Sequence, residues 1–256
     1  MSIVTFSGRI FPACYQISFS SNPLDWKWQE ENLNLHFETR IEKSIVTVDC
    51  TLDNFKPEYF VEIYRRALDI VRSAVNLAAF SSGIGWTVIF ESFTDSSGQA
   101  TMVAPQDSSL AALCSSFSLD PQAGKTSFGE MWDFVVTDPA LFQTLDDLIV
   151  SITLPHHSTV NCARAIEGLR NLIATPGATV SQAWEQMRNA LRLDRSFLQL
   201  ITDTSTAPRH GDRSHIPGVT TTEIVRRSWM VMDRSLEYRK RGNTPLPAPD
   251  FALLTG

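Results

Sequence analysis

SIVTVDC, residues 44–50, alternates apolar and polar side chains from Val46 to Cys50. Alternation with a period of two is typical of a β-strand that buries one face. The same pattern recurs in three earlier segments, at residues 3–6, 14–19 and 33–37. Turn-forming residues such as Ser-Asn-Pro separate these segments, so we expect an antiparallel sheet in the N-terminal part of the chain.

A helical period follows the predicted strands. Pro57 suits the first turn of a helix, and apolar side chains from Phe60 to Ala78 recur at spacings of three and four. Ser81-Ser82-Gly83 predicts the end of this helix, and residues 86–90 predict a strand that returns to the sheet. The N-terminal half is therefore expected to be an antiparallel sheet covered by one long helix.

The second half of the chain is expected to be a helical bundle, which makes the fold class α+β. Helix starts are predicted at six places, namely Ser127 with Glu130, Asp138 before Pro139, Ser158, Thr179 with Gln182, Asp194, and Thr220 with Glu223. We expect an α+β domain over residues 1–120, a helical bundle over residues 127–242 and a Pro-rich tail over residues 243–256.

Composition limits the class of protein. The 256 residues carry a formal net charge of −6, which argues against a surface coated with cations for nucleic acid. The four cysteines are far apart and form no Cys-x-x-Cys pair, so they are expected to be buried, reduced thiols. We find no N-terminal signal stretch and no apolar run near 20 residues. These observations predict a cytoplasmic protein that is not inserted in a membrane.

RHGDRSH, residues 209–215, concentrates histidines and arginines in a loop predicted between two helices. Histidine exchanges protons near neutral pH, and arginine stabilises the negative charge that develops on phosphorus during phosphodiester cleavage. A second predicted helix carries a polar ridge, formed by Asn161, Arg164, Glu167 and Asn171 at helical spacing. If this ridge faces the loop, Glu167 meets the arginines and histidines. Such a site suits metal-free cleavage of RNA by its own 2′-hydroxyl.

Other interpretations of these residues stay open. The loop can be a salt-bridged structural element, or His210, Asp212 and His215 can chelate a metal with His156 or His157. Gly124-Lys125-Thr126 resembles the end of a phosphate-binding loop, but the required first glycine is Leu119. Trp26 and Trp28 can stack bases, although packing at the edge of the sheet is the favoured interpretation. No cofactor and no metal is predicted.

The motif Arg209–His215 resembles that of the HEPN superfamily, whose helical bundles occur in bacterial defence, toxin and RNA-processing proteins. The superfamily signature is Arg, then a polar residue, then His after four to six intervening residues, ahead of a long helix. The segment from Arg164 to Arg170 also resembles a first HEPN helix. The resemblance covers residues 127–242, and the β-rich N-terminal region with a HEPN-like end is similar to the ApeA-like group.

The resemblance implies a metal-independent endoribonuclease that works as a homodimer, with two motifs facing each other and RNA as the substrate. On this basis His215 is the general acid and base, and Arg209 binds phosphate or stabilises the transition state. His210 is then a supporting polar group and Glu167 an orienting carboxylate.

A second hypothesis is a non-catalytic binding or dimerisation scaffold, because many HEPN-like domains lack activity. It predicts that the helical half forms the interface and that Trp229 is one of the side chains at that interface.

Overall fold

The computed structural model describes residues 1–20, 22–103, 108–118, 126–154, 157–212 and 216–256. It divides into two compact units, Met1–Ala104 and Pro105–Gly256. The first unit is an antiparallel sheet with one long helix, and the second unit is helical. The predicted α+β fold, with an N-terminal antiparallel sheet and a C-terminal helical bundle, is therefore confirmed.

The strands of the first unit are β1 (Ser2–Phe11), β2 (Phe19–Ser20), β3 (Leu24–Trp28), β4 (Leu33–Glu42), β5 (Ile45–Leu52), β6 (Thr87–Thr94) and β7 (Ala100–Met102). Within the described residues they form one sheet in the order β2-β4-β5-β1-β6-β7, and β3 also pairs with β4. The pairings are antiparallel throughout. The predicted segment at residues 14–19 contributes only the two-residue strand β2.

One face of the sheet is covered by helix α1 (Phe60–Ser82), which a 3₁₀ turn at Pro57–Tyr59 precedes. In β5 every second side chain from Val46 to Leu52 is buried, as the alternation predicts. Ile63, Ala67 and Val71 of α1 belong to the same core cluster. The helix ends at Gly83, whose φ of 66° lies in the left-handed region that glycine adopts without strain.

Gly8 marks an irregularity in the register between β1 and β6. A β-carbon at this position would lie 2.1 Å from the carbonyl oxygen of Ile89. Only glycine allows this approach of the two backbones, because any side chain would push the strands apart.

The second unit contains helices α2 (Ser108–Leu113), α3 (Phe128–Thr137), α4 (Pro139–Thr153), α5 (Ser158–Ile173), α6 (Val180–Leu191), α7 (Arg195–Arg209) and α8 (Gly218–Lys240). It also contains the short strands β8 (Phe117–Ser118) and β9 (Thr126–Ser127), which pair in parallel. Helix α5 is central, because it packs against α4, α6, α7 and α8. Residues on several sides of α5 are accordingly buried, among them Asn161, Cys162 and Ala163.

Three of the predicted helix starts are confirmed by their hydrogen bonds. The Asp138 carboxylate accepts from the backbone of α4, and the Asp194 carboxylate accepts from Ser196 in α7. Thr179 and Gln182 form the reciprocal capping box that their spacing predicts. Helix α3 begins directly after Ser127, and the cap proposed for Ser127 with Glu130 stays a prediction.

The capping box predicted at Thr220 and Glu223 is wrong. Helix α8 begins two residues earlier, at Gly218, so Thr220 is already helical. Pro217, with its fixed and extended backbone, is the N-cap residue of the helix. The cap position is therefore already occupied, and the Thr220 side chain does not cap the helix. The Glu223 carboxylate instead accepts from Arg227, one turn later, at 2.7 Å.

Residues 243–256 are part of the helical unit and not a free tail. Leu246 is buried, and its backbone N–H donates to the carbonyl of Ala190 near the end of α6. Leu254 donates to the carbonyl of Arg192. The Phe251 ring lies under the guanidinium of Arg241, 5.3 Å from its centroid. This segment therefore satisfies backbone carbonyls that the end of α6 leaves without helical partners.

The cysteines are all free thiols, but not all are buried. Cys50 and Cys162 are buried, and burial raises the pKa of Cys50 to about 12. Cys14 is exposed and Cys114 is half-buried, so the prediction of four buried cysteines is wrong for these two. Cys14 follows β1 in an irregular segment, where the alternation that buries a side chain has ended.

Candidate functional site

The motif at residues 209–215 begins on a helix and not in a loop. Arg209 is the last residue of α7, and Pro208 lies inside its final turn. The N–H of Asp212 donates to the carbonyl of Ala207, and that of Gly211 donates to the carbonyl of Pro208. With Gly211 at a φ of 86°, these bonds form a Schellman motif, the common end of a helix. The prediction of a loop is therefore wrong for Arg209.

Glu167 of α5 meets the motif, as the polar ridge predicts. The Nη1 atom of Arg209 donates to Oε1 of Glu167 at 2.7 Å. The arginine side chain is 27% exposed and the glutamate side chain 36% exposed, so water reaches both groups. Because α5 packs against α7, a residue on this face of α5 is held beside the end of α7. The Arg209 cation also lies where the negative end of the α7 dipole favours it.

The rest of the polar ridge does not converge on Arg209. Arg164 forms an ion pair with Asp147 of α4, at 3.3 Å. Burial raises the pKa of Asp147, and the Arg164 cation opposes that rise. Asn161 is buried, whereas Asn171 accepts from its neighbour Arg170. Arg164 of the ridge therefore pairs with α4, whereas Glu167 pairs with α7 and contacts the motif.

Some of the histidines predicted to act at the site lie within the described residues and others do not. His210 follows Arg209 directly as the exposed C-cap residue of α7. His215, the predicted general acid and base, lies outside the described residues, as do Arg213 and Ser214. His156, proposed as a metal ligand, also lies outside them. In the part of the chain that the structure describes, no group of three His, Cys, Asp or Glu side chains is placed to hold a metal.

The candidate phosphate loop around Gly124-Lys125 lies outside the described residues. A shallow cleft of about 370 Å³ lies between the end of α5 and the start of α6. Arg170, Thr175 and Val180 are among its lining residues, whereas Arg209 and Glu167 are not. We therefore place the candidate site at the ion pair and not at this cleft.

Trp26 and Trp28 form part of the edge of the sheet core. Their rings are nearly parallel, with centroids 6.4 Å apart. The guanidinium of Arg66 lies over Trp26, and the ring of Tyr59 contacts Trp28 edge-on. These contacts come from the chain itself, so the favoured prediction of edge packing is confirmed. On the opposite face of β4, His36 lies 2.6 Å from Asp25, and their hydrogen bond raises the pKa of His36.

One exposed apolar surface, on helix α3, was not predicted from the sequence. Phe128, Trp132 and Val136 stand at successive turns of α3, and each is more than half exposed. We call these three side chains the α3 stripe. The sequence signal was present, because the apolar side chains of FGEMWDFVVT at residues 128–137 cover an arc of about 200° around the helix axis. Trp229 of α8 is partly buried against the core, and its place at a partner interface stays a prediction.

Taken together, the fold and the site define a two-unit α+β protein with an Arg–Glu ion pair at the C-terminal end of a bundle helix. Residues 4–104 match the N-terminal domain, and residues 128–240 the C-terminal domain, of a family described as a domain of unknown function, DUF8168. The two matches follow each other and together cover most of the chain, so the chain belongs to the DUF8168 family. No curated protein and no solved structure matches it. No helix in the described part of the chain is long and apolar enough to cross a membrane.

Proposed function

We propose that this protein is a metal-independent endoribonuclease of HEPN type, in which Arg209 and His215 act on the phosphodiester. The observation that supports the proposal is the ion pair between Arg209 and Glu167. It holds a guanidinium, with water access, at the start of the Arg–His motif. The motif then leads within a few residues to the long helix α8.

The proposed chemistry needs no cofactor. The 2′-hydroxyl attacks the adjacent phosphorus, and His215 takes the hydroxyl proton as general base. The P–O5′ bond breaks, and a proton returned to the leaving oxygen completes the step with a 2′,3′-cyclic phosphate and a free 5′-hydroxyl. Arg209 stabilises the extra negative charge on the phosphoryl oxygens, because its planar guanidinium can donate two parallel hydrogen bonds.

Glu167 and His210 support Arg209 in this scheme. Glu167 accepts a hydrogen bond from one nitrogen of the guanidinium and so restricts the rotamers of a long side chain. His210 is an exposed polar group next to it in the chain. We further propose that two copies act together, and that the protein serves in bacterial defence or stress, with the N-terminal unit sensing or recruiting.

The experiment is an RNA cleavage assay in EDTA with the full-length protein. Arg209→Ala and His215→Ala are expected to reduce cleavage by at least about 100-fold, the size of a typical acid–base contribution. Arg164→Ala is the matched control, because Arg164 also lies in an ion pair between two helices of the bundle. Its cleavage rate is expected to stay near that of the wild type. Cleavage that survives both substitutions at the motif would refute the assignment.

The same ion pair also favours the second candidate, a non-catalytic binding or dimerisation scaffold. Arg209 and Glu167 belong to one chain, and a partly exposed pair of this kind stabilises a fold by about 0.2–1 kcal/mol. A scaffold is expected to leave RNA intact in every variant, while Arg209→Ala and Glu167→Ala lower the free energy of unfolding by similar, non-additive amounts. RNA that stays intact with the wild-type protein would therefore favour the scaffold over the nuclease.

A further inference from the structure

The cleft between the end of α5 and the start of α6 has a cationic lining in a chain whose net charge is negative. It has a volume of about 370 Å³, and its polar lining residues are Arg170, Asn171 and Thr175. The other lining residues are small or apolar and lie between Ala174 and Ala183 in the sequence. None of the described residues that line it is acidic, whereas the whole chain carries a formal net charge of −6. The cleft therefore favours an anion.

The Arg170 guanidinium is held in place and still has hydrogen-bond donors to offer. Its Nε and Nη2 atoms donate to Oδ1 of Asn171 at 3.2 and 2.9 Å, and it lies over the ring of Trp184, 4.8 Å from the centroid. Within the part of the chain that the structure describes, its Nη1 atom has no hydrogen-bond partner. An arginine that is already fixed loses less side-chain entropy when it binds a phosphate or carboxylate.

Asn171 and Thr175 add donors of the same kind. The Asn171 oxygen accepts both bonds from Arg170, so its NH2 group is left to donate. The Thr175 hydroxyl accepts from Nε2 of Gln186 at 2.9 Å, and its hydrogen is left to donate. Three side chains of the cleft thus offer donors, and a ligand rich in acceptor oxygens complements them.

The apolar lining limits the class of ligand further. A bare phosphate or carboxylate would leave the side chains of Pro176, Ala178 and Val180 uncovered. Pockets that bind small molecules have volumes of about 300–1,000 Å³ and combine a few polar groups with an apolar wall. The cleft, at about 370 Å³, lies at the small end of this range. A nucleotide has both required parts, an anionic phosphate and a base with a flat π-face.

The cleft adjoins the ion pair between Arg209 and Glu167. Arg170 and Asn171 follow Glu167 by three and four residues, so they lie on the same side of α5, one turn (about 5.4 Å) further on. A strand that places one phosphate at Arg209 therefore brings the next nucleotide to the cleft. We propose that the cleft binds the nucleotide next to the cleaved phosphodiester, with Arg170 on its phosphate and the apolar lining against its base. This inference rests on the proposed nuclease, in which Arg209 contacts the cleaved phosphate itself.

The test is the affinity for a fluorescently labelled 2′-O-methyl RNA hexamer, measured by fluorescence anisotropy on the full chain. The methyl group blocks the 2′-hydroxyl nucleophile, so binding is measured apart from the chemistry. The wild type is expected to bind, and a wild type that does not bind would overturn the site.

Two variants of the cleft remove different parts of the contact. Arg170→Met keeps a long side chain that can pack on Trp184 but removes the donors, whereas Ala178→Leu fills the cleft and removes no donor. Each is expected to raise the dissociation constant at least about tenfold. Both residues are partly exposed, so both variants are expected to fold. Arg164→Ala, which removes a cation of α5 outside the cleft, is the control and is expected to change the affinity less than about twofold.

Competition identifies the part of the ligand that the apolar lining contacts. Uridine 5′-monophosphate is expected to displace the hexamer at a concentration at least about tenfold lower than inorganic phosphate does. Equal competition by the two would overturn the assignment of the lining to a base. An unchanged affinity in Arg170→Met and Ala178→Leu, or an equal loss in Arg164→Ala, would overturn the site.

Cleavage kinetics separate this inference from the proposed nuclease. With cleavable RNA, the two cleft variants are expected to raise KM at least about tenfold and to lower kcat less than about threefold, because they lie away from the reacting atoms. A wild type that cleaves RNA with a KM that both variants preserve would overturn the cleft and leave the nuclease standing. Hexamer binding that depends on the cleft, in a wild type that leaves RNA intact, would support a nucleotide site and refute the nuclease.

Discussion

Replacing Gly168 with alanine is expected to destabilise the helical unit, although alanine is the better helix former. A β-carbon on Gly168 of α5 would lie 2.4 Å from Oγ1 of Thr144 on α4. That threonine is buried, and its hydroxyl donates to the carbonyl of Ala140 at 2.7 Å. The added methyl group must therefore rotate Thr144 out of its hydrogen bond or separate α4 from α5.

The two opposing effects have known sizes. Overpacking of a core costs about 1–3 kcal/mol, whereas Gly→Ala within a helix contributes about 1 kcal/mol of stability. We expect a net loss of about 1–2 kcal/mol in the free energy of unfolding, since the contact involves a buried side chain with a hydrogen bond of its own. For a unit of this size the melting temperature then falls by about 2–8 °C.

The assay is urea unfolding followed by far-UV circular dichroism, with two comparisons. Thr144→Ala removes the side-chain atoms that the new methyl group meets, so the double variant is expected to be more stable than the sum of the two single effects. Gly218→Ala is the control, because the space around a β-carbon at Gly218 is open. A Gly168→Ala protein as stable as the wild type, or additive single effects, would refute the close approach of α4 and α5.

Three other predictions concern the tail, the sheet and the thiols. Leu246→Ala is expected to lower the free energy of unfolding by about 2–4 kcal/mol, because Leu246 is buried, and an unchanged urea midpoint would show that residues 243–256 do not pack on the bundle. The hydrogen bond to Asp25 raises the pKa of His36 above 6.5 in the folded state, so its stabilising effect is full below the unfolded pKa and is lost as the pH rises through the folded pKa. The melting temperature of the wild type is thus expected to exceed that of His36→Gln at acidic pH and to converge with it at alkaline pH; a constant difference would count against the pairing. In native thiol labelling Cys14 is expected to react and Cys50 to stay unmodified, and rapid modification of Cys50 would contradict its burial.

The fold was predicted from local sequence patterns. The alternation around Val46 and the cap residues Asp138 and Thr179 act over a few residues, and the structure places each as expected. The failures at Thr220 and Arg209 have local causes too. At Thr220 the backbone fixed by Pro217 starts the helix early, and at Pro208 the final turn tolerates proline and ends in a Schellman motif.

Long-range contacts were harder to predict. The approach of Glu167 to Arg209 was anticipated because helical spacing placed Glu167 on a polar ridge. The packing of Leu246 was not anticipated, since a Pro-rich composition says nothing about where an extended segment binds. The α3 stripe was not predicted because a helical pattern does not say how much of a wide apolar arc is buried, and α3 buries only part of its arc.

The most direct test of the proposed nuclease is the single-turnover cleavage rate of RNA in EDTA, with wild type and His215→Ala compared at equal concentration. We expect wild-type products that end in a 2′,3′-cyclic phosphate, and a rate in His215→Ala that is lower by about 100-fold or more. RNA that stays intact with the wild type, or equal rates in the two proteins, would contradict it.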